Sequence, residues 1–289
     1  MLIQLLANGI AMGAVYALLG TGFSLIYYTG RIFHIAYAAI FLVAGYLLYG
    51  SIQSGISPVF AVFLSITGGT LLGVIISGCI IPLKNRAAGR EVLFVVSLAM
   101  YIVLINVITL LFGKETLMPN LGGLPSLELS FVRLTSMQWM EIVFFLITYP
   151  ILFYFLRTST GLKIRALADR PRLLPVLGFS REKVFLLASG IAGFLAAGVG
   201  CLTAADVGVE TYSGFFIFTI AATAAIAGGR MNITGAALVG MFLGIFQNLL
   251  APFISFGWQE AILYPVLVMI LAVKSEEILA PAHSRPEEL

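Results

Sequence analysis

Hydrophobic and polar positions along the 289-residue chain fall into long apolar runs separated by short polar joints. A helix needs about 20 apolar residues to cross the hydrocarbon core of a bilayer. On that measure the pattern predicts spans near 4–28, 32–50, 58–82, 92–112, 138–156, 184–205, 213–229, 233–252 and 258–273. The expected fold is an all-α polytopic membrane protein of about nine transmembrane helices, within a range of eight to ten. The segment 213–229 is the weakest, being short and flanked by Gly208, Gly214 and the pair Gly228–Gly229. It reads as a full span or as a broken helix shielded by its neighbours, because irregular backbone survives at membrane depth only inside protein.

If the nine segments alternate, the basic residues divide unevenly. Arg31, Lys84, Arg86, Arg90, Arg157, Lys163, Arg165, Arg170, Arg172, Arg181, Lys183, Arg230, Lys274 and Arg285 fall on one side, and only Lys114 and Arg133 on the other. Cytoplasmic loops carry the excess of Lys and Arg, so the expected topology has the N-terminus out and the C-terminus in. Composition agrees with a membrane class. Apolar residues make up 60% of the chain and charged residues 10%, and the mean hydropathy is +1.06. Soluble domains run at roughly 45–50% and 25%, so a soluble enzyme or nucleic-acid binder is excluded as a reading of the whole chain. The first charged residue is Arg31, so the basic region that precedes the apolar stretch of a cleavable signal is missing, and the first span is expected to stay in place. Cys79 and Cys201 both lie in apolar runs and read as buried small residues.

Two joints are long. The external one, 113–137, contains Pro119, Gly122, Gly123 and Pro125, and reads as an ordered cap or as a plain linker. The internal one, 157–183, holds seven of the sixteen basic residues together with helix-like apolar spacing at Leu162, Ala166, Leu167 and Ala168, then Leu173, Leu174, Val176 and Leu177. Gly178 is a natural stop, and Ser180 an N-cap for the next span. The segment is expected to form a short docking helix for a cytoplasmic partner, a turn, and a return to the membrane. A basic topology signal alone does not need the apolar pattern.

Small residues recur at both ends of the chain. Asn8-Gly9-Ile10-Ala11-Met12-Gly13-Ala14 opens one unit, closed two spans later by Gly68-Gly69-Thr70-Leu71-Leu72-Gly73. Ser189-Gly190-Ile191-Ala192-Gly193 opens another, closed by Gly235-Ala236-Ala237-Leu238-Val239-Gly240 and Gly244. An odd number of segments separates the two openings, so the units, about 4–83 and 184–252, would enter the membrane from opposite sides. Inverted repeats of this kind recur in transporters, although small residues at helix interfaces are also generic packing devices. Gly9, Gly13, Gly228, Gly229 and Gly235 are the candidate repeat-packing glycines.

Catalytic chemistry is sparse. No G-x-x-x-x-G-K-[ST], H-E-x-x-H or G-x-S-x-G pattern occurs, and the two histidines, His34 and His283, are far apart. Of the ionisable residues, His34 lies near the start of the second span and Asp206 and Glu210 near the outer end of the sixth. The midplane is expected to lack the carboxylate that an ion-coupled carrier buries. Uncharged polar residues remain for a pathway: Asn8, Tyr16, Thr219 and Thr223, with Ser24, Asn106, Thr203, Gln247 and Asn248. A helix–helix hydrogen bond is the ordinary reading of each. His34 and Tyr37 stand out because one helical turn separates them among small residues.

These elements resemble a family. Asn8-Gly9-x-x-x-Gly13-Ala14-x-Tyr16-Ala17-Leu18, Phe33-His34-Ile35-Ala36-Tyr37-Ala38, the run Gly161-Leu162-Lys163-Ile164-Arg165-Ala166 through Leu177-Gly178, and Gly228-Gly229 with Gly235-Ala236 are similar to motifs of the H-type membrane permease of branched-chain amino acid ATP-binding-cassette importers. The chain departs from the pattern at His34, Tyr37 and Ala38 in the first unit and at Met231, Asn232 and Thr234 in the second. Its C-terminal region carries Lys274-Ser275-Glu276-Glu277 in place of the family's ending. The resemblance implies a single transmembrane permease domain over 1–274 and a cytoplasmic tail over 275–289, in the bacterial inner membrane. It implies no catalysis and no cofactor on this chain, with ATP and Mg on two cytoplasmic ATPases. It further implies a second related permease or a copy of this chain, a periplasmic or lipid-anchored solute-binding protein, and contact with membrane lipid. Arg165, Ala166, Asp169 and Gly178 would shape the ATPase-coupling segment. The expected solute is a branched-chain or other amino acid, with urea or a short amide, or a stand-alone channel or secondary carrier, as the alternatives.

Overall fold

The computed structural model describes residues 2–86, 88–121, 127–129 and 132–253, together with Pro265, Val268 and Met269. Among them run helices α1 (Leu2–Gly30), α2 (Tyr37–Gln53), α3 (Pro58–Asn85), α4 (Arg90–Phe112) and α5 (Ser136–Phe155). They are followed by α6 (Ser159–Asp169), a single turn α7 (Leu173–Val176), α8 (Arg181–Val207), α9 (Ser213–Gly228) and α10 (Ile233–Leu250). A two-stranded antiparallel hairpin, β1 (Leu127–Leu129) and β2 (Val132–Leu134), lies between α4 and α5. Six of the helices, α1, α3, α4, α5, α8 and α10, are long and apolar enough to cross a membrane, while α2 and α9 are shorter apolar helices. The predicted span 258–273 lies outside the described residues, apart from the three named above.

Helix boundaries follow local chemistry. Thr135 and Gln138 form a reciprocal capping box at the start of α5, and the Ser180 hydroxyl accepts from the Lys183 amide at the start of α8, the cap the sequence predicts. The Asn232 carboxamide oxygen accepts from the Gly235 amide to open α10. One boundary differs from expectation. The apolar run beginning near residue 32 is not helical until Tyr37, so His34 sits in a buried irregular segment before α2 rather than one turn away from Tyr37 on the same helix.

Among the described residues, polar contacts gather helix ends into two faces. One face gathers the end of α1, the end of α3, the start of α8 and the end of α9: Lys84 Nζ donates to the Gly30 carbonyl at 2.9 Å and Asn85 Nδ2 to Glu182 Oε1 at 2.6 Å. The opposite face gathers Gln4 with Arg133, Thr135 with Asp206, and Leu117 paired to Val209 through two backbone hydrogen bonds. Thr211 meets Tyr46 at this second face, and Arg230 meets Asp169 at the first. The contested helix α9 therefore runs from one face to the other, although its 16 residues extend only about 24 Å.

The core is built on exchange between the two ends of the chain. Helix α1 packs along α10 as α3 packs along α8, and α2 lies on α3 and α8 as α9 lies on α10 and α1. Swapping α1–α2–α3 for α8–α9–α10 turns each of these contacts into another of the set. The crossings are backbone-close. A Cβ on Gly13 would lie 2.8 Å from the Met241 carbonyl oxygen, and one on Gly244 would overlap the Gly13 backbone. At the other crossing Gly73 and Gly193 face each other, with 3.3 Å between a Gly73 Cβ and Gly193 Cα. Small residues allow such approach where no water drives association. Gly9 abuts Ile245 in the same α1–α10 seam, Gly228 and Gly235 press together across the α9–α10 turn, and Gly229 takes φ +90° to end α9.

Overpacking a tight site costs about 1–3 kcal/mol. Gly244→Ala is expected to destabilise the detergent-solubilised chain by that amount, read as a lower thermal midpoint. Gly78→Ala, whose Cβ would meet nothing closer than 3.9 Å, is expected to leave it unchanged. Equal midpoints for the two variants would contradict the close α1–α10 crossing.

Candidate functional site

Two regions carry polar chemistry: the first face around α6, and a seam between the two three-helix units. Helix α6 starts at Thr158, whose hydroxyl accepts from the Gly161 amide at 3.3 Å. Gly161 is required there, because a Cβ would overlap Leu156 and the Phe155 carbonyl at the end of α5. The apolar stripe Ile164, Leu167 and Ala168 is buried inward, while Leu162 and Arg165 are exposed and Ala166 is half-buried. An apolar docking surface on α6 itself is therefore mostly spent on the protein's own core. The exposed apolar side chains lie instead at and around α7, with Leu173 45%, Val176 81% and Leu177 65% exposed. Gly178 at φ +79° ends that turn, and Lys163 lies 4.2 Å over the Phe179 ring.

The far end of α6 is gripped from both units. Helix termini leave their last carbonyls without intrahelical partners. Arg31, just beyond α1, donates from Nη2 to the carbonyls of Ala168 and Asp169, both at 3.3 Å. Arg230, in the α9–α10 turn, donates from Nη2 to the same two carbonyls at 2.8 and 3.1 Å, and its Nε lies 3.7 Å from the Asp169 carboxylate. Burial, then the neighbouring Arg230 and Arg90 charges, lower the Arg31 pKa, against which Asp169 raises it. Arg31 itself takes φ +54°, and Arg230 stands between Gly229 at φ +90° and Met231 at φ +49°. Left-handed backbone at a non-glycine residue costs about 1–3 kcal/mol and clusters where a structure must aim a group.

In the seam, the pathway candidates turn their polar atoms onto protein. Tyr16 Oη donates to Gln247 Oε1 at 2.7 Å, Tyr37 Oη donates to the Leu19 carbonyl at 3.1 Å, and Asn8 accepts from Gln4 at 2.9 Å. Thr219 and Thr223 each donate back to a carbonyl four residues earlier on α9. His34 Nδ1 lies 2.7 Å from Ser97 Oγ, which also accepts from the Ala36 amide, while His34 Nε2 is buried with no partner among the described residues. Around them Phe23, Tyr27, Phe33, Tyr37 and Phe218 form edge-on and stacked ring contacts with centroids 5.1 to 5.9 Å apart. This aromatic cluster joins α1, the segment before α2, α2 and α9.

Sequence reasoning overlooked Glu141. It is 6% exposed in α5, accepts from Thr203 Oγ1 at 3.4 Å, and sits about one and a half turns from the second face. Its signal was plain, a single carboxylate inside the apolar run 138–156. Reasoning also missed Arg31 and Arg230 as anything more than topology charges.

A model of the branched-chain amino acid transport system permease component matches residues 5–272. The chain belongs to that family. It is 25% identical to the high-affinity branched-chain amino acid transport system permease protein LivH of Salmonella typhimurium, over 99% of this chain and 96% of the relative. The corresponding protein BraD of Pseudomonas aeruginosa is also 25% identical, with the same coverage. A probable LivH of Methanocaldococcus jannaschii is 23% identical over 96% of this chain and 90% of its own. Among solved structures, PsaBC from Streptococcus pneumoniae in complex with Fab matches 93% of this chain and 90% of its own, with TM-score 0.53 at 14% identity, a likeness of fold. The protein is thus the multi-pass permease component of an ATP-binding-cassette importer of the bacterial plasma membrane. It is not an enzyme: ATP hydrolysis belongs to separate ATPase subunits, with which permeases of this family associate, as they do with solute-binding proteins and lipid.

Removing Ser97 Oγ would strip a partner from both His34 and the Ala36 amide. An unmade buried hydrogen bond costs about 1–3 kcal/mol. Ser97→Ala is expected to lower thermal stability in detergent by at least that much, and Ser97→Thr by less. A wild-type midpoint for Ser97→Ala would mean that water replaces the hydroxyl.

Proposed function

We propose that this permease forms the path for a branched-chain amino acid or another small amino acid, in a complex with two cytoplasmic ATPases, a second related permease or a copy of itself, and an external solute-binding protein. The observation that carries this reading is the inner-face segment α6–α7, an amphipathic element with a basic, partly apolar exposed side whose end is tied to both three-helix units. Neither a channel nor a carrier needs such a surface. Arg165 and Ala166 on its middle turn, Asp169 at its end and Gly178 after α7 are assigned to ATPase coupling. Exposed ion pairs contribute under about 1 kcal/mol each, so Leu173, Val176 and Leu177 supply most of the docking energy. Closure of the ATPases on ATP moves α6 and tips the units between inward- and outward-facing arrangements.

The proposed topology has nine crossings, with the N-terminus out and the C-terminus in, a single permease domain over 1–274 and a cytoplasmic tail over 275–289. The face that carries Arg31, Lys84 and α6 is the cytoplasmic one, in keeping with the excess of basic residues there. The inverted units are about 4–83 and 184–252, and the exchange symmetry of the helix packing supports them. Asn8, Tyr16, His34, Tyr37, Thr219 and Thr223 are assigned to the solute path between the units. A path without formal charge suits a zwitterion, and the aromatic cluster offers an apolar surface to a branched side chain.

Arg165→Glu is expected to lower solute uptake in intact cells by about tenfold, the effect of losing about 1.4 kcal/mol of coupling, while membrane abundance stays at wild type. Wild-type uptake would remove the docking assignment. A tag on the N-terminus is expected to be labelled by an impermeant reagent from outside, and protection until the cells are lysed would overturn the orientation.

A further inference from the structure

The coupling segment is known by its surface; what the structure adds is how its far end is held. Arg31 and Arg230 both donate to the Ala168 and Asp169 carbonyls, and they come from different halves of the molecule. Arg31 closes α1, the helix that opens the first unit. Arg230 closes α9 and turns the chain into α10, in the second. Two guanidiniums share two carbonyls, with the Asp169 carboxylate beside them as counter-charge. Arg31 itself takes left-handed backbone, and Arg230 is flanked by left-handed Gly229 and Met231. Arg31 is held further from behind, because Lys84 of α3 donates to the carbonyl of the preceding Gly30.

We infer that Arg31 and Arg230 are positioning residues forming a two-armed clamp that makes the end of α6 the common fixing point of both three-helix units. A displacement of α6 is delivered through this clamp to α1 and to the α9–α10 turn at the same time. The physical basis is the cost of letting go. A hydrogen bond from a charged donor is roughly twice as strong as a neutral one, and helix C-terminal carbonyls carry partial negative charge that favours cations. When the two units rotate against one another, both arms cannot remain on one pair of carbonyls. The clamp is thus made in the arrangement described here and opens on one arm in the other. This inference rests on the importer reading given above, because it needs an ATPase to move α6.

The test uses the importer assembled from this permease and its ATPases, with solute transported per ATP hydrolysed as the readout. In Arg31→Gln and in Arg230→Gln the ATPase is expected to co-purify at wild-type yield and to hydrolyse ATP, while solute per ATP falls by about tenfold. A role confined to stability would lower the amount of complex and leave that ratio unchanged. An unchanged ratio in both variants, or loss of the ATPase from the complex, would overturn the clamp as a transmitting element.

Hydrogen exchange on the full-length permease alone supplies a second readout. The peptide covering 164–172 is expected to exchange at least about threefold faster in either variant, and unchanged exchange in both would overturn the clamp directly. If the wild-type chain captures no ATPase, the importer reading fails and the exchange result alone decides whether the clamp exists. Where a glutamine variant does not accumulate, lysine is placed at the same position. Its shorter stem falls short of the two carbonyls, so a decrease in the same ratio of at least about threefold is expected, and a wild-type ratio would count against the clamp.

Discussion

Backbone-to-backbone approach at the α1–α10 and α3–α8 crossings is the constraint on which the molecule turns. In a bilayer no hydrophobic driving force pulls helices together, so association rests on van der Waals packing and on satisfied polar groups. Gly13 against Gly244 and Gly73 against Gly193 let main chains meet with no side chain between them. Those two crossings tie the opening helix of each three-helix unit to the closing helix of the other. Neither unit can form its own interface without its counterpart. The shorter helices α2 and α9 then lie against the crossing pairs, and the irregular segment before α2 is covered by α1, α4 and α9 through Phe23, Phe94 and Phe218 around Phe33.

That arrangement explains why most polar atoms of the seam are satisfied by protein, His34 Nε2 and Ser24 Oγ being exceptions. Short helices expose backbone at depth, and each exposed group needs a partner. Ser97 serves the turn before α2, Tyr46 and Gly113 serve Thr211 before α9, and Tyr28 reaches the Ala225 carbonyl near the end of α9. Two of these bonds, Tyr46 to Thr211 and Tyr28 to Ala225, join one unit to the other. Movement of one unit against the other must therefore exchange hydrogen-bond partners as well as packing partners.

Much of this was legible in the residues. Length and hydropathy located the helices because lipid imposes a minimum apolar run, and the small-residue motifs marked both crossings because only small side chains permit them. The start of α2 was not legible: Ile32, Phe33 and Ile35 are as apolar as a helix interior, and hydropathy does not distinguish a helix from a buried turn. The direction in which α6 presents its stripe was equally hidden. Ile164, Leu167 and Ala168 have the spacing of a docking face, yet whether that face meets the protein's own core or a partner depends on residues more than a hundred positions away. The grip of Arg31 and Arg230 on α6 was invisible for the same reason, since three short stretches near residues 31, 169 and 230 converge only after folding.

Gly161 gives α6 a mechanical character. Its close contact with Leu156 and the Phe155 carbonyl rests the first turn of α6 directly on the end of α5, and the last turn is held some 12 Å away by the two guanidiniums. Supported at both ends, α6 behaves as a short beam rather than a free lever. A load applied at Arg165, halfway along, is divided between its supports: one share passes to the peripheral α5, and the other to the centre of the molecule. Stiffness at the Gly161 bearing then sets how much of any push reaches the centre, so a small side chain at that position governs mechanical gain as well as fit.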